Sequence, residues 1–400
     1  VNAFVALIVA AIAAITLPYA LLSAEREIPE DKIPLFYSAM LLCLTGLLGI
    51  TQTGDIFNVF VFLEISSLAS YALISLGRQR QAFTATYQYL IMGTIGATFY
   101  LIGVGLIYSQ TGSLNMQDLA TILPDVLHLN TVETGFAFIM VGIALKLALF
   151  PLHLWLPNAY TYAPSVVTVF LAATATKVAV YVMLRTMFTV FPQGFAVTTP
   201  ADELFIVAGI AGIITASVYA IYQENIKRLL AYSSVAQVGY MVLGIGFAST
   251  TGLTATVVHL FNHALMKGAL FMAVGAIVYR IGACRMEQIH GLGRAMPWTF
   301  GAIVIGGLSL IGVPGTAGFI SNWYLVVAAL EQEAWISVAV ILCGSLLAVV
   351  YVGKLIEALY FNPVSDTGKV VSVGPILLLV PSWGVGLGIV ECGVDTDLRV

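Results

Sequence analysis

The sequence has little charge. Of its 400 residues only 9% are Asp, Glu, Lys or Arg, while 60% are apolar. A soluble domain carries about 25% charged residues. This chain therefore cannot cover the water-facing surface of the two or three soluble domains its length would otherwise allow. The mean hydropathy of +0.99 points the same way. Polar–apolar alternation in segments of about ten residues is also missing, which excludes a transmembrane β-barrel. What remains is an all-α polytopic membrane protein, with room for roughly twelve helices of about 20 residues each. The net charge is only −4 and no basic cluster occurs, so nothing suggests nucleic acid. Cysteine is scarce too: Cys43, Cys284, Cys343 and Cys392 lie far apart, with no CxxC pair or Cys/His cluster. No iron–sulfur, haem or zinc site is expected, and no cofactor. If the protein serves a redox machine, the redox chemistry is done elsewhere.

Apolar runs place spans at 1–23, 34–53, 56–76, 84–108, 134–163, 165–191, 203–223, 229–248, 254–279, 297–330, 334–361 and 371–390. The first run lacks a basic leader and a cleavage site, so it reads as a true span rather than a signal peptide. The abrupt start at Val1 is expected of a fragment or an incomplete gene model. Two runs are too long for one straight crossing. Pro151 interrupts the fifth, and the stretch containing Pro314, Gly315 and Gly318 interrupts the tenth. Proline removes a backbone donor and clashes with the preceding turn. Such a break is a simple kink or re-entrant loop, or, when two occur in matching places, the mark of a transporter core. Ten basic loop residues (Arg26, Lys32, Arg78, Arg80, Lys227, Arg228, Arg280, Arg285, Arg294, Lys369) fall on one side, and Arg185 and Arg399 on the other. The rich side is expected to be cytoplasmic, which puts Val1 and the acidic loop 109–133 outside.

Internal similarity accompanies the paired breaks. Residues 65–70 (ISSLAS) resemble 232–237 (YSSVAQ), and 103–108 resemble 274–279; Lys177 and Lys354 both follow a broken helix. Units 34–191 and 203–361 each hold five spans, flanked by 1–33 and 371–400. An odd number of spans inverts the second unit in the membrane, the arrangement of many transporters.

A charged residue in hydrocarbon costs about 2.5–3.5 kcal/mol on insertion scales, so the few present are informative. Glu64, Lys146 and Lys177 lie within apolar runs. His259, His263 and Lys267 follow at spacings of four, on one helix face. Lys354 and Glu357 are three apart and able to pair, either as a structural pair or as part of the same set. His259 also suits a hydrogen-bonded packing role. The set fits proton relay: burial disfavours a charged lysine, a nearby carboxylate favours it, and a group held between the two can load and release a proton. Ser66, Ser67, Ser233, Ser234 and Asn262 could hold intervening water. Sodium wants several hard oxygen ligands, and this set is mainly cationic.

Four segments carry a family resemblance: TGDIFNVFVFLE at 53–64, KLALFPLHLWLP at 146–157, NIKRLLAYSS at 225–234 and HALMK at 263–267. In order and over nearly the whole chain, they resemble the antiporter-like subunits of respiratory complex I and of Mrp-type cation/proton antiporters, with the D-type subunits of the Mrp branch nearest. The resemblance implies a fourteen-helix bundle with two inverted five-helix units, of which about twelve helices are present here. It also implies partner membrane subunits and location in the inner cell membrane. Carried over, Glu64 modulates Lys146, Lys177 bridges toward the second unit, His259, His263 and Lys267 continue a central polar axis, and the corner Lys227–Arg228 is structural. Relatives often carry Lys or Glu after a Gly-Phe-Ile-Ser stretch, whereas here Ser321 is followed by Asn322. An offset of 176 makes Asn322 the counterpart of Lys146, with Lys267 and Lys354 as groups the second unit could borrow. Asn158 and Tyr160 replace acidic and imidazole groups of the family. Three readings follow: a proton-translocating antiporter subunit exchanging protons for sodium or another monovalent cation, a pump subunit of a redox-driven complex, and a non-transporting scaffold.

Overall fold

A computed structural model describes residues 1–192, 195, 200–282, 284–363 and 375–394. Lys369, Arg399 and the start of the last expected span, 371–374, lie outside the described residues. The helices are α1 (Asn2–Glu27), α2 (Ile33–Gln52), α3 (Ile56–Ser75), α4 (Gln81–Thr111), α5 (Met116–Val126), α6 (Asn130–Leu147), α7 (Trp155–Tyr162) and α8 (Ser165–Arg185). They continue as α9 (Ala201–Ile221), α10 (Ile226–Gly246), α11 (Thr250–Ile281), α12 (Pro297–Ile311), α13 (Ala317–Glu331), α14 (Trp335–Tyr360) and α15 (Ile376–Val394). Among the described residues, eleven helices are long and apolar enough to cross a membrane, and the second broken run consists of two shorter apolar helices, α12 and α13. The chain is a multi-pass membrane protein, as its composition requires.

The expected outer loop 109–133 holds a helix, α5. It buries Met116, Leu119 and Leu123 on one side, a helical spacing, and Asn115 caps it through Gln117 N at 2.8 Å. The span expected at 165–191 is α8 followed by a π turn, Thr186–Val190.

Both broken spans end the same way. At α6, Ala148 adopts the left-handed conformation (φ 58°), its N–H reaches Leu145 O, and Leu149 N reaches Ala144 O. At α12, Gly312 (φ 86°) does likewise, and Val313 N reaches Leu308 O. This paired closure satisfies the carbonyls that a helix end leaves open. Trp155 Nε1 takes Leu145 O as well, at 2.9 Å, so the first break is sealed by protein rather than lipid.

Features at a constant separation of 170 residues recur on opposite faces. Asp55 and Asn225 cap the two Ser-Ser helices, α3 and α10. Gly112 and Gly282 end α4 and α11 in the left-handed conformation that a Cβ disfavours. Isolated bridges join Asp55 to Asn115 and Asn225 to Arg285. The second bridge lies at a cavity of about 860 Å³ lined by Arg26, Arg78, Lys227, Arg228 and Arg285. Five of the described basic loop residues thus gather at one cavity, while Arg185 lies with Gly54 and Asn115 in a smaller one.

The centre of the bundle is α8, α10 and α11, the most enclosed of the long helices. Helices meeting in lipid associate through small residues: a Cβ on Gly142 of α6 would stand 2.6 Å from Gly96 O of α4.

Candidate functional site

The first cluster is built by α3 and the end of α6. Asp55 Oδ1 accepts from Phe57 N and Asn58 N, both at 2.8 Å, and starts α3. Glu64, Ser67 and Tyr71 then fall on one face by their spacing of three and four. Lys146 sits in the last turn of α6, where the break ends the helix beside α3. Its Nζ donates to Glu64 Oε1 at 3.2 Å and to Ser67 Oγ at 2.7 Å. The Lys146 side chain is 6% exposed and that of Glu64 23%. A buried ammonium is tolerable only when paired and hydrogen-bonded, and both conditions hold here.

The second cluster lies across the bundle centre. Lys177 on α8 is fully buried, and among the described residues no carboxylate faces its Nζ. The ammonium is held by Ala172 O and by Thr176 Oγ1 at 3.3 Å. It lies within electrostatic reach of His259, His263 and Lys267 on α11. Lys267 Nζ donates to Ser233 Oγ at 2.5 Å and Leu230 O at 2.9 Å. Each Ser-Ser helix therefore receives one lysine: α3 takes Lys146 and α10 takes Lys267. His259 Nδ1 meets Ser321 Oγ of α13 at 2.9 Å, and Asn262 Nδ2 donates to Ala317 O at 2.5 Å. The His259 and His263 rings lie nearly parallel, with centroids 6.2 Å apart. His263 Nδ1 and Nε2 are buried without a protein partner, as is His259 Nε2. Ionisable groups thus form two clusters, Glu64 and Lys146 between α3 and α6, and Lys177, His259, His263 and Lys267 between α8 and α11. Such a set can hand protons along, whereas among the described residues no carboxylate cluster is gathered there to hold a metal cation.

Two expectations change. The sequence puts Lys354 on the axis or in a pair with Glu357, and the structure shows neither. Its Nζ donates to Ile221 O at 3.0 Å and Gln223 O at 3.1 Å. It caps α9, because a helix C-terminus exposes carbonyls that attract a cation. The match of Lys146 with Asn322 also fails in space. The second break (312–316) is shorter than the first (148–154), so one sequence offset cannot cross both. By cap geometry Leu310 occupies the place of Lys146. Asn322 lies beyond the break, its Nδ2 against Gly312, with its Oδ1 buried and unpartnered. The second unit still has no titratable group at that place.

Lys227 is the expected structural corner. Its Nζ donates to Ala163 O at 3.1 Å and lies 3.9 Å from Glu27 Oε2, which accepts from Ser165 N at 2.9 Å and Ser165 Oγ at 3.0 Å. Sequence reasoning missed Tyr71, Ser321 and His153. Tyr71 could have been found from its place one turn after Ser67. Ser321 is reached only through the fold. His153 lies buried in the first break, against Phe150 and Tyr232.

The chain has clear relatives. Residues 53–348 match the family described as NADH:quinone oxidoreductase/Mrp antiporter, TM. The chain is 44% identical over 374 residues to an NADH-quinone oxidoreductase subunit N of Desulforudis audaxviator, covering 90% of this chain and 74% of that protein. It is 32% identical over 351 residues to the D-type subunit of a Na(+)/H(+) antiporter of Alkalihalophilus pseudofirmus, covering 86% and 70%. A chain of the Mrp complex from Dietzia sp. DQ12-45-1b shares the fold with a TM-score of 0.85 at 25% identity, covering 96% of this chain and 79% of that one. A chain of the membrane-bound sulfane sulfur reductase, an archaeal respiratory complex, gives 0.84 at 34% identity, covering 96% and 78%.

Proposed function

Because the chain belongs to the NADH:quinone oxidoreductase/Mrp antiporter transmembrane family, we propose that it is a proton-translocating subunit of a multisubunit membrane complex. The observation that carries this reading is Lys146, a buried ammonium bound to both Glu64 and Ser67 and placed at a helix break. Lys227 is also buried and paired but ties helix ends at the basic face, whereas Lys146 lies within a span, where a charged group is costly and points to an ion path. In this reading Glu64 and Lys146 load protons in the first unit, 34–191. Lys177 passes them toward the second unit, 203–361, where His263, His259 and Lys267 continue the route. The segments 1–33 and 371–400 flank the two units.

Two machines could drive this subunit. In an Mrp-type assembly, a gradient of sodium or another monovalent cation would exchange for protons. In a complex I-like assembly, quinone reduction or a related redox reaction would push them. Identity of 44% to the quinone oxidoreductase subunit, against 32% to the antiporter subunit, supports the redox-driven complex. The test is to purify the native complex and reconstitute it in vesicles loaded with a pH dye. Proton movement driven by an added cation gradient alone supports the antiporter, and movement only with an electron donor and quinone supports the pump. Undiminished proton movement in Lys146→Ala would remove the proton-relay reading altogether.

A further inference from the structure

The geometry points to Tyr71 as the hydroxyl that delivers protons to Lys146 from the basic face, with Gly93 keeping its place open. The inference rests on the function proposed above. On α3, Glu64, Ser67 and Tyr71 share one side. The helix runs on through Ser75 to Gly77 and Arg78, which line the basic cavity. Ser70 also follows Ser67, but its hydroxyl is engaged by Ser66 O and Cys43 Sγ, so Tyr71 is the next polar group toward that face without a partner. It is 4% exposed, and its hydroxyl is buried without a hydrogen-bond partner among the described residues. A methyl carbon at Gly93 would stand 1.9 Å from Tyr71 Oη and 3.6 Å from Lys146 Nζ. The phenol and the ammonium therefore lie within the span of one bridging water.

Packing alone does not account for a tyrosine here. Its ring meets Tyr89 edge-on with centroids 4.7 Å apart, and Tyr89 stacks on Trp155 at 3.9 Å. Phenylalanine would make the same contacts without burying an unpaired hydroxyl, which costs stability. A glycine opposite that hydroxyl preserves the space it needs. The transfer balances simply. When Lys146 is a neutral amine, a proton arrives at a lone pair of Tyr71 Oη, and the phenol's own proton leaves for Ser67 Oγ. The Ser67 proton then leaves for Lys146 Nζ. One proton enters from the basic face, one ammonium forms, and neither hydroxyl is left charged.

The test uses the native complex in dye-loaded vesicles, carrying Tyr71→Phe, Gly93→Ala or both. Tyr71→Phe should cut proton flux at least tenfold with assembly intact and the melting temperature equal to or above that of the wild type. Gly93→Ala should cut flux and lower the melting temperature, because its methyl meets the phenol oxygen. The double variant should regain melting temperature, since phenylalanine has no oxygen there, but not flux. Restored flux in the double variant, or wild-type flux in Tyr71→Phe, overturns the inference. Lys146→Ala in the same vesicles separates the two ideas. If Lys146→Ala is silent while Tyr71→Phe is active, Tyr71 alone is excluded; if Lys146→Ala is fully active, both fall.

Discussion

Removing the Glu64 carboxylate tests the first cluster most directly. In Glu64→Ala, Lys146 keeps its 2.7 Å bond to Ser67 but loses the only carboxylate that the described structure places beside it. Breaking a buried ion pair by deleting one partner costs about 3–5 kcal/mol. The lower end applies, because Glu64 is 23% exposed on this chain and the serine bond survives. About 3 kcal/mol corresponds to roughly a 100-fold drop in any step that places charge on Lys146, at about 1.4 kcal/mol per tenfold. Glu64→Asp sets the carboxylate back by about 1.5 Å from its present 3.2 Å, which removes about a third of the attraction because Coulomb energy falls as the inverse of distance. It should keep partial activity. The assay is initial proton flux into vesicles at equal amounts of assembled complex, with assembly checked by subunit stoichiometry. A fully assembled Glu64→Ala complex within threefold of wild-type flux would refute the argument, since the pair would then be dispensable.

Other outcomes follow from the same contacts. Lys177→Arg should stall transport by more than tenfold, because a guanidinium keeps its proton at any accessible pH and a fully buried site has no room for it; normal flux would make the role purely electrostatic. Lys354→Ala should lower stability by about 1–2 kcal/mol through lost capping of α9, yet retain at least half of the flux; a tenfold loss in an intact complex would return Lys354 to the path. Lys227→Met leaves Glu27 without its cation and should cost about 2–3 kcal/mol, read as a lower melting temperature in detergent. An unchanged melting temperature would show that Ser165 and Ser23 hold Glu27 unaided.

Much of this molecule is legible from its residues because lipid leaves few choices. Helices must satisfy their own backbone, so apolar runs mark most of the crossings, and Pro151 and Pro314 mark both breaks. The pairing of Lys146 with Glu64 is legible for a related reason: a lone buried cation needs a partner, and few carboxylates lie within the spans. Lys354 misleads because three-residue spacing shows only that Glu357 is reachable. Spacing does not reveal that the carbonyl end of α9, over 130 residues away in sequence, offers a better partner. The match of Lys146 with Asn322 fails for a different reason, since a break of unequal length shifts register without leaving a mark in composition. α5 escapes a sequence reading because a short surface helix with three buried side chains carries too little apolar signal beside the spans. Ser321 could not be foreseen because its role exists only where α13 crosses α11.

The Lys227 corner also bears on how the protein can move. One ammonium joins the end of α7, the first helix through Glu27, and the opening of α10, while Glu27 holds the start of α8. This knot fastens helices of the first unit to the start of α10 in the second, beside the basic cavity. A carrier that swings its halves to expose cargo first to one side and then to the other would have to untie it in every cycle. In the proposed role, a subunit fastened in this way would keep its walls still and pass protons by turning side chains and reorienting water. Its turnover would then be governed by local electric fields rather than by the viscosity of the surrounding lipid.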